Sequence, residues 1–364
     1  MAGAGLEVEK LEVAYGDVRV LKGISLTIEP GEFVALLGSS GCGKTTLLRA
    51  ISGFVPVSAG AIRCEGRDIT HAPPDKRDMA MVFQSYALWP HMTAAKNIGY
   101  GLRLRGWNRA DIAKRVEDML TMLKLGGLGG RMVGQLSGGQ RQRVALGRAL
   151  AISPRILLLD EPLSNLDARI REDVRHEIKA LQESLDITAI HVTHDREEAM
   201  VMADRIVILD AGTIAQVGTP EEVYNRPNSP FVAAFMGAGN TMALRARTDG
   251  SAVVIEAGPY NSEARLAATA IGRDRNPPSG KVVAYFRSEA ARLASPATPG
   301  TADNLHLRGR IAQSSYPGGF WRYAVRVGEH QFLVDDDARY DIGTEIDIRL
   351  PPSALHIYAD TSGR

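Results

Sequence analysis

The run Gly38, Ser39, Ser40, Gly41, Cys42, Gly43, Lys44, Thr45, Thr46 has the residue types needed to hold a phosphate chain. Phosphate oxygens need N–H donors with no bulky side chain in the way. Glycines at these spacings let backbone amides converge on an anion, and a helix starting at the lysine adds its dipole. Lys44 is spaced to reach the β- and γ-phosphates of a nucleotide, and Thr45 to offer its hydroxyl to Mg²⁺. Cys42 fits two readings: a small residue tolerated in the loop, or a low-pKa thiol near a helix N-terminus.

A second constellation is Asp160-Glu161-Pro162, delivered by the apolar run Ile156–Leu159. Ligands of open α/β sheets bind at the C-terminal ends of strands. Asp160 there can hold Mg²⁺ directly or through water, and Glu161 can polarise an attacking water as a general base. Alone, the same residues read as a strand running into an acidic turn. Beside a phosphate loop, the catalytic reading is the stronger one.

A third is Leu136 followed by Ser137, Gly138, Gly139 and Gln140. Ser137 suits a helix N-cap, and the two glycines leave the helix start bare, which makes another anion seat. A flexible glycine turn explains the same residues. One phosphate chain does not need two seats from one molecule, so a second seat is best explained if it faces another subunit. His191 and His194 invite a metal assignment, but residues three apart on a strand point to opposite faces and do not chelate together.

These residues need particular elements to position them. Glu32–Leu37 reads as a buried strand feeding the glycine loop, and 45–51 as the helix after it. Residues 1–30 alternate as half-exposed antiparallel strands. Apolar residues at helical spacing predict a helix over 110–125, and others follow over 137–151 and 168–184. Buried strands are expected at 155–160, 189–192 and 206–209. Strands alternating with helices imply a largely parallel α/β sheet. Beyond residue 240 the texture changes. Short β-like runs at 252–255, 282–286, 323–327, 331–334 and 345–350 lie between Gly, Pro and Asp turns, the pattern of a small all-β barrel or sandwich. Gly318-Gly319-Phe320-Trp321 reads as a hairpin turn with packed aromatics, with an oxyanion or sugar effector site as the other reading. Tyr86, Leu88 and Trp89 read either as core or as a surface meeting a membrane partner.

The chain has 364 residues, too many for one ordinary domain, and its composition is 45% hydrophobic and 23% charged, values of a globular chain. A net charge of +1 argues against affinity built on neutralising a nucleic-acid backbone. Two cysteines, Cys42 and Cys64, make no disulfide framework and suit a reducing compartment. No apolar run reaches the length of a membrane span, and the first residues do not have the pattern of a signal peptide.

With these motifs in place, the chain resembles an ABC-type ATPase subunit of a bacterial importer, Ser137–Gln140 being its signature sequence. The resemblance covers roughly residues 6–240. The C-terminal part is similar to the TOBE-like regulatory domain of some importers. It implies a P-loop NTPase cassette over 1–240, with a helical subdomain at about 86–152, followed by an all-β TOBE/OB-like domain over 241–364. It also assigns Tyr15 to stacking on adenine, Gln84 to contact with Mg²⁺ and the attacking water, and Asp167, with Ser164–Leu166, to a loop crossing a dimer interface. His194 becomes the γ-phosphate sensor. Phe286-Arg287-Ser288-Glu289 lies where relatives often have Arg-Pro-Glu, and Ser288 departs from that pattern.

The implied function is ATP-driven solute import. ATP and Mg²⁺ are the expected cofactors. A homodimer with shared sites is expected to drive separate integral-membrane permease subunits and to work only indirectly with a solute-binding protein. The implied location is peripheral, on the cytoplasmic face of the inner membrane, and no nucleic-acid partner is expected. Polyamine is the first choice of solute, with ferric iron, phosphonate, sulfate or sugar behind it. Two other readings remain: a soluble non-transport ABC ATPase acting on ribosomes or DNA, and a regulatory nucleotide-binding protein without turnover. A single phosphate loop and the short interval from Gln84 to Leu136 weigh against the first. Glu161 and His194 weigh against the second.

Overall fold

The protein was analysed as a computed structural model, which describes residues 3–250, 252–267, 279–296 and 303–360. The chain divides into two compact units, Met1–Glu221 and Glu222–Arg364.

Near-continuous apolar segments form the centre of the first unit. Every residue of Phe33–Gly38, Ile156–Asp160 and Thr188–Val192 is buried, as expected of strands covered on both faces. They lie in a six-stranded sheet ordered Thr213–Gly218, Arg205–Asp210, Phe33–Gly38, Thr188–Val192, Ile156–Asp160, Met79–Val82. All neighbours are parallel except the first pair. Parallel pairing brings the C-terminal ends of four adjacent strands to one edge, and every chemistry-bearing loop of the first two constellations leaves from that edge.

A four-stranded antiparallel sheet, ordered Val18–Ile28, Leu6–Tyr15, Ala59–Cys64, Arg67–Asp68, packs against this layer. Leu6–Tyr15 buries largely alternate residues, the half-exposed pattern expected from its sequence. The core between the sheets gathers Leu6, Leu11 and Ile24 from one side and Leu36 and Leu158 from the other. Leu47, Leu48 and Ile51 of the helix Lys44–Ile51 fill the space between them.

The stretch from 94 to 151 carries the helices Ala94–Ile98, Tyr100–Leu104, Arg109–Met122 and Gly138–Ala151, joined by turns. Asn108 caps the third of these by accepting from the Asp111 amide. Asn97, fully buried, accepts from the amide of Trp89 and donates to the carbonyls of Trp89 and Thr93, fixing the turn ahead of the first helix. Tyr86 is buried, whereas Leu88 and Trp89 are half-buried. Trp89 packs against Tyr100 with tilted rings, centroids 4.1 Å apart.

The second unit has two five-stranded antiparallel sheets around one core. One is ordered Ala264–Ala267, Ala252–Ile255, Asn240–Asp249, Gly280–Phe286, His356–Ala359, and the other Arg292–Ala294, Glu345–Leu350, Leu305–Ser315, Trp321–Val327, His330–Asp336. Phe286 meets Phe332 at 5.4 Å in that core. The Gly318–Trp321 segment is a hairpin turn in which Trp321 packs on Tyr316 at 5.1 Å.

The compact unit starts earlier than the change in texture at 240. Two short helices, Pro220–Asn225 and Pro230–Phe235, precede the first long strand of the second unit. Arg287, buried, donates to the carbonyls of Tyr224 and Met236, and the Tyr358 hydroxyl donates to the carbonyl of Pro227. These long-range bonds commit residues 224–236 to the β unit.

Candidate functional site

Four adjacent parallel strands of the large sheet each lead into a residue singled out by the sequence. Phe33–Gly38 runs into the glycine loop, Thr188–Val192 into His194, Ile156–Asp160 into Glu161, and Met79–Val82 into Gln84. Strand order alone therefore collects residues far apart in the chain.

The loop folds as its glycines require. A Cβ on Gly38 would lie 2.5 Å from the Leu209 carbonyl oxygen, and one on Gly43 2.7 Å from Leu21 Cδ2. Gly43, with φ 107°, caps the helix Lys44–Ile51 without a side chain. Lys44 is buried, and its Nζ donates to the carbonyls of Gly38 at 2.7 Å and Ser39 at 2.9 Å, with Cys42 Sγ at 3.8 Å. Ser39, Ser40 and Gly41 are exposed, Cys42 is buried, and Thr46 is half-buried on the helix.

Thr45 Oγ1 donates to Asp160 Oδ1 at 3.1 Å. Asp160 is 4% exposed, and the nearest guanidinium, that of Arg49, is 3.8 Å away. Burial pushes the Asp160 carboxyl above the usual carboxylate range, and neighbouring Glu161 pushes the same way. The Thr45 hydroxyl, Arg49 and Lys44 pull against that rise. A buried carboxylate beside a hydroxyl is a hard-oxygen donor pair short of positive charge, and it fits Mg²⁺, which takes one or two protein oxygens plus phosphates and water. Among the described residues no group of three or more His, Cys, Asp or Glu could hold a metal by itself.

Glu161 has φ 46°, an unusual backbone state for a non-glycine residue. Its amide donates to the Val192 carbonyl, which ties the ends of two adjacent strands together. Its Oε2 accepts from Gln84 Nε2 at 3.2 Å and lies 3.3 Å from His194 Nδ1. The Ser164 hydroxyl donates to the Glu161 carbonyl, and Asn165 Nδ2 donates to the Gln84 carbonyl. Gln84 is thus held by its backbone as well as its side chain.

The two histidines separate, though not by lying on opposite faces of one strand. That strand ends at Val192, so His194 belongs to the following turn, 61% exposed. His191, fully buried, lies 3.2 Å from Glu198 Oε2, which also accepts from the Thr193 hydroxyl. Burial alone would raise the Glu198 carboxyl, but His191, Thr193 and Arg171 outweigh it and hold the group below its ordinary range.

Ser137 caps the helix Gly138–Ala151. Its Oγ accepts from the Gln140 amide at 3.3 Å, while Gln140 Oε1 accepts from the Ser137 amide at 3.0 Å. Ser137 is exposed, and a Cβ on Gly139 would meet Ile170 Cγ2 at 3.1 Å. Asp167 caps the next helix, Ala168–Leu185, by accepting from the Ile170 amide. Among the described residues no hydrogen bond joins 137–140 to 38–46. Tyr15 is 50% exposed at the tip of the first hairpin, opposite Val18. One copy of the chain therefore brings together Lys44, Thr45, Asp160, Glu161, Gln84 and His194 through hydrogen bonds and close contacts, and among the described residues no hydrogen bond joins Ser137–Gln140 or Tyr15 to them.

Sequence reasoning missed Arg77, whose buried guanidinium donates only to backbone carbonyls close to the site. No local pattern marks such a residue, because half of those carbonyls lie more than 25 positions upstream.

The ABC transporter family matches residues 21–164, and the TOBE domain family residues 285–357. The Fe(3+) ions import ATP-binding protein FbpC of Brucella melitensis biotype 1 is 41% identical over 346 residues, covering 94% of this chain and 94% of the relative. The chain belongs to the ABC transporter family. The ABC subunit is equally similar, 41% over 369 residues, to the sn-glycerol-3-phosphate import ATP-binding protein UgpC 1 of Rhizobium johnstonii, with 99% and 96% covered. Among solved structures it resembles the dimeric post-hydrolysis state of the ATP-binding cassette MJ0796 bound to ADP and Pi. That match has 31% identity and a TM-score of 0.54, covering 59% of this chain and 98% of that one.

The fold is thus an ABC cassette followed by an all-β TOBE domain. The protein is an ATP-hydrolysing, energy-coupling subunit of an import complex. Among the described residues no helix is long and apolar enough to cross a membrane.

Proposed function

We propose that hydrolysis runs on the residues gathered at the strand ends and is completed by a second copy of the chain. Gly38–Thr46 bind the phosphates through their amides. The Lys44 ammonium exchanges the Gly38 and Ser39 carbonyls for phosphate oxygens. Thr45, Asp160 and Gln84 would hold Mg²⁺, which would supply neutralisation of charge on the phosphates. Glu161 takes the proton of the attacking water at its carboxylate. Gln84 and His194 orient that carboxylate, and His194 also donates to the γ-phosphate. Tyr15 stacks on the base. Ser137, Gly138, Gly139 and Gln140 of the partner copy cover the phosphates, with Asp167 at the seam. That no hydrogen bond joins them to Lys44 or Thr45 among the described residues, while Gly138 and Gly139 face Leu166 and Ile170, supports this division.

The observation that carries the reading is the convergence of Gln84 and His194 on one Glu161 oxygen beside the Thr45–Asp160 pair. Glu161→Gln is expected to bind ATP and slow turnover by about 10²-fold or more, as loss of a general base does. Phosphate release by the full chain checks it, and unchanged turnover removes Glu161 from the role.

The permease is expected to meet the helical subdomain, where a groove of about 510 Å³ is lined by Met92, Tyr100, Arg103, Ile112 and Val116. A solute-binding protein supplies the cargo to that permease from the far side of the membrane, while this subunit works on the cytoplasmic face. For the cargo, ferric iron stands ahead of sn-glycerol-3-phosphate, since several relatives are named for Fe(3+) ions. Relatives named for such different solutes match equally well, which suits a motor that never touches the solute. Uptake by the assembled complex, with each solute labelled in turn, decides between them.

A further inference from the structure

The helix Lys44–Ile51 is eight residues long, about 12 Å end to end. Its N-terminus carries Lys44 and Thr45. Its C-terminus ends against the guanidinium of Arg77, which is 4% exposed. Arg77 Nη1 donates to the Ala50 carbonyl at 2.9 Å and the Ile51 carbonyl at 2.7 Å. Nη2 donates to the Thr70 carbonyl at 2.9 Å, and Nε to the Ala72 carbonyl at 2.8 Å. Among the described residues Arg77 makes no ion pair. Burial alone holds its pKa below the ordinary guanidinium value.

A buried cation with no counter-anion has to be stabilised by dipoles. The last turn of this helix offers the Ile51 carbonyl, the second lone pair of the Ala50 carbonyl that also accepts from Gly53, and the negative end of the helix dipole. Gly53 makes room for it: a Cβ there would lie 2.6 Å from Arg77 Nε. Arg77 also sits just before the strand Met79–Val82, whose far end delivers Gln84. One planar fork therefore grips the tail of the phosphate-binding helix and the root of the strand carrying Gln84.

We propose that Arg77 is a positioning residue of the ATPase site, fixing the spacing between Lys44 and Thr45 on one element and Gln84 on the next. It touches neither nucleotide nor metal and acts through those three side chains. The proposal rests on the roles given to them above. Lysine cannot replace it in full, because a point charge cannot serve four carbonyls in a plane.

The test uses the full chain with Mg-ATP. Arg77→Gln and Arg77→Lys are assayed for kcat and KM well below their melting temperatures, so that only folded protein is compared. The expected result is a loss of about tenfold or more in kcat/KM for Arg77→Gln, with partial recovery in Arg77→Lys, as for a small misplacement of reacting groups. Combined with Gln84→Ala, the Arg77 loss should shrink, since both act on the same placement. If Arg77→Gln does not fold, Arg77→Lys, which keeps the charge but not the planar fork, carries the kcat/KM comparison and the combination with Gln84→Ala instead. Wild-type kcat and KM in folded variants, or losses that simply multiply with Gln84→Ala, overturn the proposal. Lys44→Ala separates the two levels: if it leaves ATP binding intact, the reading of the site itself has failed.

Discussion

Asp160 is the residue whose environment conflicts most with its charge. It is buried at a strand end, with the Thr45 hydroxyl at 3.1 Å, the Arg49 guanidinium at 3.8 Å, and Lys44 and Glu161 acting on it with opposite sign. Its folded pKa is raised, so between the unfolded and folded values the native state binds more protons than the unfolded chain. Stability from this group therefore falls as pH rises through that window, and the full cost persists above it. Asp160→Asn removes the charge and keeps an acceptor for Thr45. In chelator at neutral pH it is expected to melt above the wild type, and to gain less stability from Mg-ATP. A lower melting temperature in chelator would show that Arg49 and Lys44 already compensate the carboxylate. The chemistry of such residues was legible because glycine loops and strand-end carboxylates are local patterns. Gln84 and His194 had no such pattern. They acquired roles through family resemblance, and only the order of adjacent strands brings them to Glu161.

Among elements, the helix Gly138–Ala151 is the clearest case of a terminus described by its sequence. Ser137 and Gln140 sit three apart, and the structure forms both reciprocal cap bonds. Its glycines face Leu166 and Ile170 of the same copy rather than the phosphate loop. Ser137→Arg should then block hydrolysis while leaving nucleotide binding intact. Mixed with Lys44→Ala protein, it should regain activity, up to one working site per dimer. Full turnover by either variant alone would contradict a shared site. Strand elements were less legible. Asn240–Asp249 alternates buried and exposed residues almost throughout, yet it follows an apolar stretch with Gly and Asn that masks its start. Leu305–Ser315 is similarly interrupted by Gly309, which lies so close to the neighbouring strand that a Cβ would come within 2.5 Å of the Arg326 carbonyl oxygen.

For the whole molecule, the least legible feature was where one unit gives way to the next. Composition shifts near 240, but the packing boundary is at Glu221/Glu222 because Arg287 and Tyr358 reach back to carbonyls at 224, 227 and 236. Backbone acceptors have no sequence signature, so the pattern of side chains could not show it. A fragment beginning at residue 222 should fold cooperatively, and one beginning at 241 should be less stable by about 2 kcal/mol or more, since it removes the carbonyls of Tyr224, Pro227 and Met236 that Arg287 and Tyr358 donate to. Denaturant unfolding of the two fragments compares them directly, and equal midpoints would place the boundary back at the change in texture.

The mutual bonding of Ser137 and Gln140 has a further consequence. The cap uses the amides of both residues as donors and their side-chain oxygens as acceptors, so among the described residues the Ser137 O–H, Gln140 Nε2 and the Gly138 and Gly139 amides still have no acceptor. On the shared-site reading, these donors are held in place before a neighbour's nucleotide arrives, and binding it displaces none of the cap. Encounters without fuel leave them to water, and those that form around it loosen once the terminal phosphate has gone.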